Sequence, residues 1–139
     1  MDAVNPGFST NRSSGGIAEG APDGSKAWPL LRNPAGSMAR FELPANAVSL
    51  AMRHQTVTEF WTVLEGSGEL WRRSASRDEP GERSEVEVVV PLTPGVCADI
   101  PVGVSFQFRA GSDGLVILAV TVPPWPGPDE AIEESGSAW

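Results

Sequence analysis

His54 is the only histidine in a chain of 139 residues. Glu59 lies five positions later, and Phe60-Trp61-Thr62-Val63-Leu64 continues as an apolar, strand-like run before Gly66. An imidazole and a carboxylate brought together by a fold can relay a proton or hold a divalent ion. Positions two apart on a strand face the same side. Met52 therefore travels with His54, Trp61 with Glu59, and Phe106 with Phe108. The expected pocket is mixed, with His54 and Glu59 as its polar groups and Met52, Trp61, Phe106 and Phe108 as a substrate-binding apolar lining. A plainer alternative stands beside this one: a lone histidine satisfied by a neighbour, and aromatics that only pack a core.

Without a metal, such a pair suits proton transfer next to a carbonyl. Enolisation, epimerisation, dehydration and ring closure all fall in that class. His54 is the expected general base or acid, with Glu59 orienting it. The carboxylate favours an imidazolium, whereas burial opposes one. A nucleophile pair between His54 and Cys97 requires close contact between the two. There is no G-x-S-x-G motif, no phosphate-cradling glycine loop and no C-x-x-C. Arg72-Arg73 reads as a solvated face or a dimer contact rather than an anion site.

Composition narrows the class. The net charge of −8 argues against nucleic acid and against an anionic membrane surface. One cysteine makes no internal disulfide, which suits a reducing cytoplasm. No apolar signal-like or membrane-spanning run is present. Fifteen glycines and 13 prolines favour short strands joined by turns.

Residues 1–27 are rich in Gly, Ser, Asn and Pro and read as a flexible leader; an ordered arm that docks on a partner subunit, anchored by Phe8 and Ile17, is the alternative. Trp28-Pro29-Leu30-Leu31 marks the expected edge of a barrel over 28–125, and 126–139 forms an acidic tail. Strands are expected at 38–43, 48–54, 59–64, 69–73, 86–92, 96–100, 105–109 and 115–122. Alternation places Val48, Leu50, Met52 and His54 on one face of the second. Gly66-Ser67-Gly68 reads as a tight turn, and 74–84 as a hairpin loop. The proline-rich stretch 123–128 cannot continue a central strand, and is expected to cross the outside with Trp125 as anchor. Residues 129–134 form one helical turn or stay solvated. The pattern is all-β, an antiparallel sandwich or jelly roll.

Two motifs resemble those of the cupin superfamily. Its first reads G-x5-H-x-H-x4-E-x6-G; here Asn46, Met52, His54, Glu59 and Gly66 occupy the five positions. Its second reads G-x5-P-x-G-x2-H-x3-N; here Gly95, Pro101 and Gly103 match, while Phe106 and Ala110 replace the histidine and asparagine. The Phe106-Gln107-Phe108-Arg109 run and the tail from Thr121 to Ala131 look like those of small bacterial cupins, whose activities are mostly undefined and include cyclases, isomerases and epimerases of secondary metabolism.

The resemblance implies a double-stranded β-helix or jelly-roll barrel, a homodimer and a small-molecule substrate. It also implies a metal site with two of its four usual ligands, Met52 and Phe106, made apolar. Zinc and iron sites usually need three protein donors. The expected cofactor is none. A divalent iron, zinc or manganese ion on His54 and Glu59, with Cys97, Asp99 or Gln107 as a displaced ligand, is the alternative. Three functions stay open: a metal-independent isomerase, cyclase or lyase; a metal-dependent enzyme with shifted ligands; and a non-catalytic binding or oligomerisation module.

Overall fold

The computed structural model describes residues 6–14, 16–76 and 84–139. Nine strands lie among the described residues: β1 (Glu19–Gly20), β2 (Lys26–Asn33), β3 (Gly36–Leu43), β4 (Met52–His54), β5 (Thr58–Ser76), β6 (Ser84–Leu92), β7 (Cys97–Ile100), β8 (Ser105–Val122) and β9 (Ala131–Glu133). All pairings are antiparallel. One path of pairing runs β1-β2-β3-β8-β4-β9, and β5 joins β8, β6 and β7. Among the described residues no helix is long and apolar enough to cross a membrane.

Two long strands, β5 and β8, form the spine. They run side by side from Thr58↔Val122 to Arg73↔Ser105. The expected turn at Gly66-Ser67-Gly68 is absent: β5 passes straight through it, and the expected strands 59–64 and 69–73 are one. The register instead slips at Val63/Glu65 and at Gly66/Gly68. The glycines are there for closeness. A Cβ on Gly66 would lie 2.0 Å from the Gly114 carbonyl oxygen, and one on Gly68 would lie 2.1 Å from that of Arg109. Bulges of this kind bend a long strand and let a sheet curl. The expected strands 105–109 and 115–122 are likewise continuous in β8.

The expected strand over 48–54 shrinks to β4, with one isolated bridge between Val48 and Arg109. Val48 and Leu50 are exposed while Ser49 is buried, so the expected common face holds only for Met52 and His54. Ser49 explains the departure. Its Oγ accepts from Phe108 N at 3.0 Å, and its carbonyl accepts from Gln107 Nε2 at 2.9 Å.

The expected domain edges also shift. Residues 19–27 belong to the fold, because β1 pairs with the start of β2 around a turn at Gly24 (φ 91°). Trp28 to Leu31 lies within β2 rather than at an edge. Phe8 and Ile17 are exposed. The tail returns to the sheet: Pro128–Glu130 form a 3-10 turn, and β9 then pairs with β4. The centre of the expected hairpin loop, 77–83, lies outside the described residues.

Leu70, Leu92, Ile100, Phe108, Leu115 and Ile117 are fully buried, in one hydrophobic cluster that also takes in Met52, Phe106 and Ala119. The hydrophobic effect thus packs the inside of the curled sheet.

Candidate functional site

A cavity of about 460 Å³ lies against the sheet. β4 delivers Met52 and His54 to its wall, β5 delivers Glu59, and β8 delivers Phe106. Met52 is paired with Phe106 across the β4–β8 ladder, so the two apolar replacements stand side by side.

His54 and Glu59 meet. His54 Nδ1 lies 3.5 Å from Glu59 Oε2, and the two residues are 3% and 5% exposed. The imidazole stands between two aromatic rings, Phe106 at 5.1 Å and Trp125 at 5.2 Å between centroids, both edge-on. His54 Nδ1 is a buried polar atom with no hydrogen bond. Glu59 Oε1 accepts from the Trp61 indole N–H at 2.5 Å.

Burial decides the charges. It pushes the His54 pKa down to about 4, against the pull of the negative Glu130. It pushes the Glu59 pKa up to about 7, against the Trp61 hydrogen bond and with help from the negative charge of Asp23. The favoured arrangement is therefore a carboxylic acid facing a neutral imidazole. Of the two, Glu59 is the group that titrates near neutral pH.

Trp61 and Phe108 do not line the cavity. They are buried in the hydrophobic core and pack edge to face at 5.0 Å. Trp61 touches the site through its hydrogen bond to Glu59 and its edge-on contact with Phe106, 6.1 Å between centroids. Trp125, expected outside, is instead part of the cavity wall. Its N–H donates to Ser37 Oγ at 2.9 Å, and its carbonyl accepts from Arg32 Nη1 at 2.5 Å.

None of the displaced ligands proposed from sequence reaches the pair. Cys97 is exposed on β7 beside Thr62 Oγ1, so no His54–Cys97 pair forms. Asp99 is exposed, 3.7 Å from Arg72. Gln107 spends its amide on Ser49 and on the backbone of Ala138 and Trp139. Arg72 and Arg73 are both engaged with carboxylates. Among the described residues, no three His, Cys, Asp or Glu side chains gather as a metal site. With Met52 and Phe106 beside His54, the donor set does not fit a zinc or iron ion.

Sequence reasoning missed five polar groups of the cavity: Glu19, Asp23, Arg32, Ser37 and Thr121. Asp23 comes from the stretch read as a flexible leader. Its Oδ1 accepts from Ser25 N at 2.9 Å and from Ser25 Oγ at 2.6 Å. Burial nonetheless raises its pKa. The Asp23-Gly24 dipeptide, a common hairpin turn, was the signal available for it. Glu130 belongs to the stretch expected to form one helical turn or stay solvated, and it sits in the 3-10 turn. It is buried, and it accepts from Thr56 N at 2.5 Å, Thr56 Oγ1 at 2.8 Å and Val57 N at 2.8 Å. Burial works to raise its pKa, but those bonds outweigh it and hold the carboxyl below its usual value.

No family model matches the chain, and no curated protein matches it either. Solved structures do. An uncharacterised protein with a double-stranded beta-helix domain from Klebsiella pneumoniae superposes with a TM-score of 0.59 at 14% identity, covering 81% of this chain and 85% of that one. A predicted oxalate decarboxylase from Thermotoga maritima gives 0.63 at 22%, covering 83% and 99%. The cupin domain of Cnp3 from Schizosaccharomyces pombe gives 0.55 at 12%, covering 71% and 64%. The motif residues fit the same fold: Gly66, Gly95 and Gly103 all have positive φ, and Asn46 reaches φ 61° in place of the first glycine. By fold, then, this chain is a double-stranded β-helix, similar to those of the solved cupin structures.

Proposed function

We propose that this protein is a small-molecule-binding cupin that catalyses proton transfer on a small, partly apolar substrate without a metal, as an isomerase, cyclase or lyase. The observation that carries the reading is the buried His54–Glu59 pair, with a carboxyl pKa pushed up to about 7, on the wall of a largely apolar cavity. An acid–base group works best when its pKa lies near the working pH.

The chemistry follows from the two side chains. Ionised Glu59 takes a proton from a carbon next to a carbonyl. The C–H electrons move into the new C=C bond, and the carbonyl electrons onto oxygen. The neutral His54 ring carries one N–H to hydrogen-bond that oxygen. Glu59, now protonated, returns the proton. Return to the opposite face of the carbon is epimerisation, and return to another atom is isomerisation. Loss of a neighbouring leaving group is elimination. Phe106, Met52 and Trp125 exclude water, which strengthens each electrostatic contact.

The test is deuterium uptake from D₂O into a panel of cyclic β-keto esters and enones, followed by NMR. Wild-type protein is expected to exchange the proton next to the carbonyl, and Glu59→Gln to lower the rate roughly 10²–10⁴-fold. His54→Ala is expected to lose less, and EDTA to leave the rate unchanged. A rate that EDTA abolishes and iron, zinc or manganese restores would replace this reading with a metal-dependent one. No exchange above the background with any compound would reject catalysis and leave a binding module.

A further inference from the structure

The cavity contains a polar row that crosses four adjacent strands. In the sheet registers, Arg32 of β2 pairs with Ser37 of β3, Ser37 with Thr121 of β8, and Thr121 with Glu59 of β5. All four residues line the same cavity. Residues directly opposite on neighbouring strands share a face, so the four form one line with a cation at one end and an acid at the other. The adjacent row on that face is apolar and small, with Ala39 paired to Ala119. Only the chance of register brings these residues together; they are scattered over 90 positions of sequence.

Arg32 has a distinctive place in this line. It is the only Lys or Arg among the residues lining the cavity. Arg40, Arg53, Arg72, Arg73 and Arg109 all stand within ion-pair distance of a carboxylate, and Arg32 does not among the described residues. Its Nη1 is tied to the Trp125 carbonyl at 2.5 Å, and the Trp125 ring stands 5.2 Å from that of His54. One nitrogen is thus used for placement while the rest of the fork remains for a ligand. Arg32 is exposed, so its guanidinium borders the cavity from the solvent side, where one hydrogen bond holds it preorganised for a planar anion.

We propose that Arg32 is the anchor for a carboxylate of the substrate, which lies along the row with its reacting carbon at Glu59 and its hydrocarbon body over Ala39 and Ala119. This deepens the proton-transfer reading and rests on it for the reacting end alone. Three inter-strand steps of about 4.8 Å separate the backbones of Arg32 and Glu59 by about 14 Å along the sheet. Their side chains close much of that span. The ligand class is then a small carboxylic acid, cyclic or of medium chain length, with its carbonyl or alkene several bonds from the carboxylate. Ser37 and Thr121, which hydrogen-bond to each other between the two ends, are placed to meet a polar group in the middle.

The experiment is binding, read by calorimetry at pH 7.5, of cyclohexylacetate and of its uncharged methyl ester. Wild-type protein is expected to bind the acid at least about 10-fold more tightly than the ester, as befits a charge-assisted bidentate contact. Arg32→Gln should erase the preference, and Arg32→Lys should restore part of it with a fold matched by circular dichroism. Equal binding of acid and ester, a preference that survives Arg32→Gln, or no binding of either compound would each overturn the anchor. The two proposals fail separately. Acid preference without deuterium exchange keeps the anchor and rejects the catalysis; exchange on neutral ketones without acid preference does the reverse.

Discussion

Glu59 and His54 should make opposite and nearly cancelling contributions to stability between pH 4.5 and 6.5. The folded pKa of Glu59 is raised from 4.5 to about 7. The folded state therefore binds more protons than the unfolded state across that window, and stability falls as pH rises. The folded pKa of His54 is lowered from 6.5 to about 4. Here the unfolded state binds more protons, and stability rises as pH rises. Each group contributes a slope of up to about 1.4 kcal/mol per pH unit. Over the two shared units each is worth about 2–3 kcal/mol, with opposite sign. The perturbation is to remove one group at a time. Glu59→Gln deletes the falling contribution, so its stability relative to wild type should climb by about 2–3 kcal/mol from pH 4.5 to 6.5. His54→Gln deletes the rising one, so its stability relative to wild type should drop by about the same amount. Urea denaturation at pH 4.5, 5.5 and 6.5 reads both, and taking differences from wild type cancels every other titrating group. Two flat difference curves, or two curves of the same sign, would refute the claim that burial rather than ion pairing sets the charges of this pair.

Two further predictions concern the frame around the site. Gly66→Ala should cost about 3 kcal/mol or more in a thermal or urea melt, because it adds left-handed strain (φ 83°) and drives a Cβ into the Gly114 carbonyl. Gly95→Ala has a similar backbone (φ 91°) but meets nothing within 4 Å, so about 1 kcal/mol is expected; equal losses would remove close approach as the reason for glycine at 66. Glu130→Ala should cost about 3 kcal/mol, since it leaves the Thr56 and Val57 backbone N–H groups without their acceptor. Hydrogen exchange at those two amides should quicken with it, and unchanged protection would sink the idea that Glu130 pins the tail.

Alternation and turn residues were enough to make the all-β reading. Spacing alone aligned Asn46, Gly66, Gly95 and Gly103 with positions that the backbone bends into positive φ. The two-residue periodicity of strands was also enough to put Met52 and His54 on one inner wall. These signals are local, and local signals survive without a fold. Glycine at 66 and 68 misled for a physical reason. A glycine that permits a turn and a glycine that permits two strands to touch look identical in sequence, and only the position of the Gly114 and Arg109 carbonyls separates them. Val48 and Leu50 misled because alternation assumes a ladder, and Ser49 broke it by bonding to β8.

The chain's order of residues by itself determined that strands would dominate and that a histidine and a glutamate would share a pocket with apolar neighbours. Tertiary structure alone decided three things. It chose which aromatics face the void, keeping Trp61 and Phe108 in the core and bringing Trp125 back from the tail. It gave Glu59 rather than His54 the pKa near neutrality, because that depends on how deeply each is buried and on Asp23 and Glu130 arriving from distant segments. It aligned Arg32, Ser37, Thr121 and Glu59 into one row. Strand register is set by the packing of the whole curled sheet, and no stretch of sequence short enough to read locally contains it.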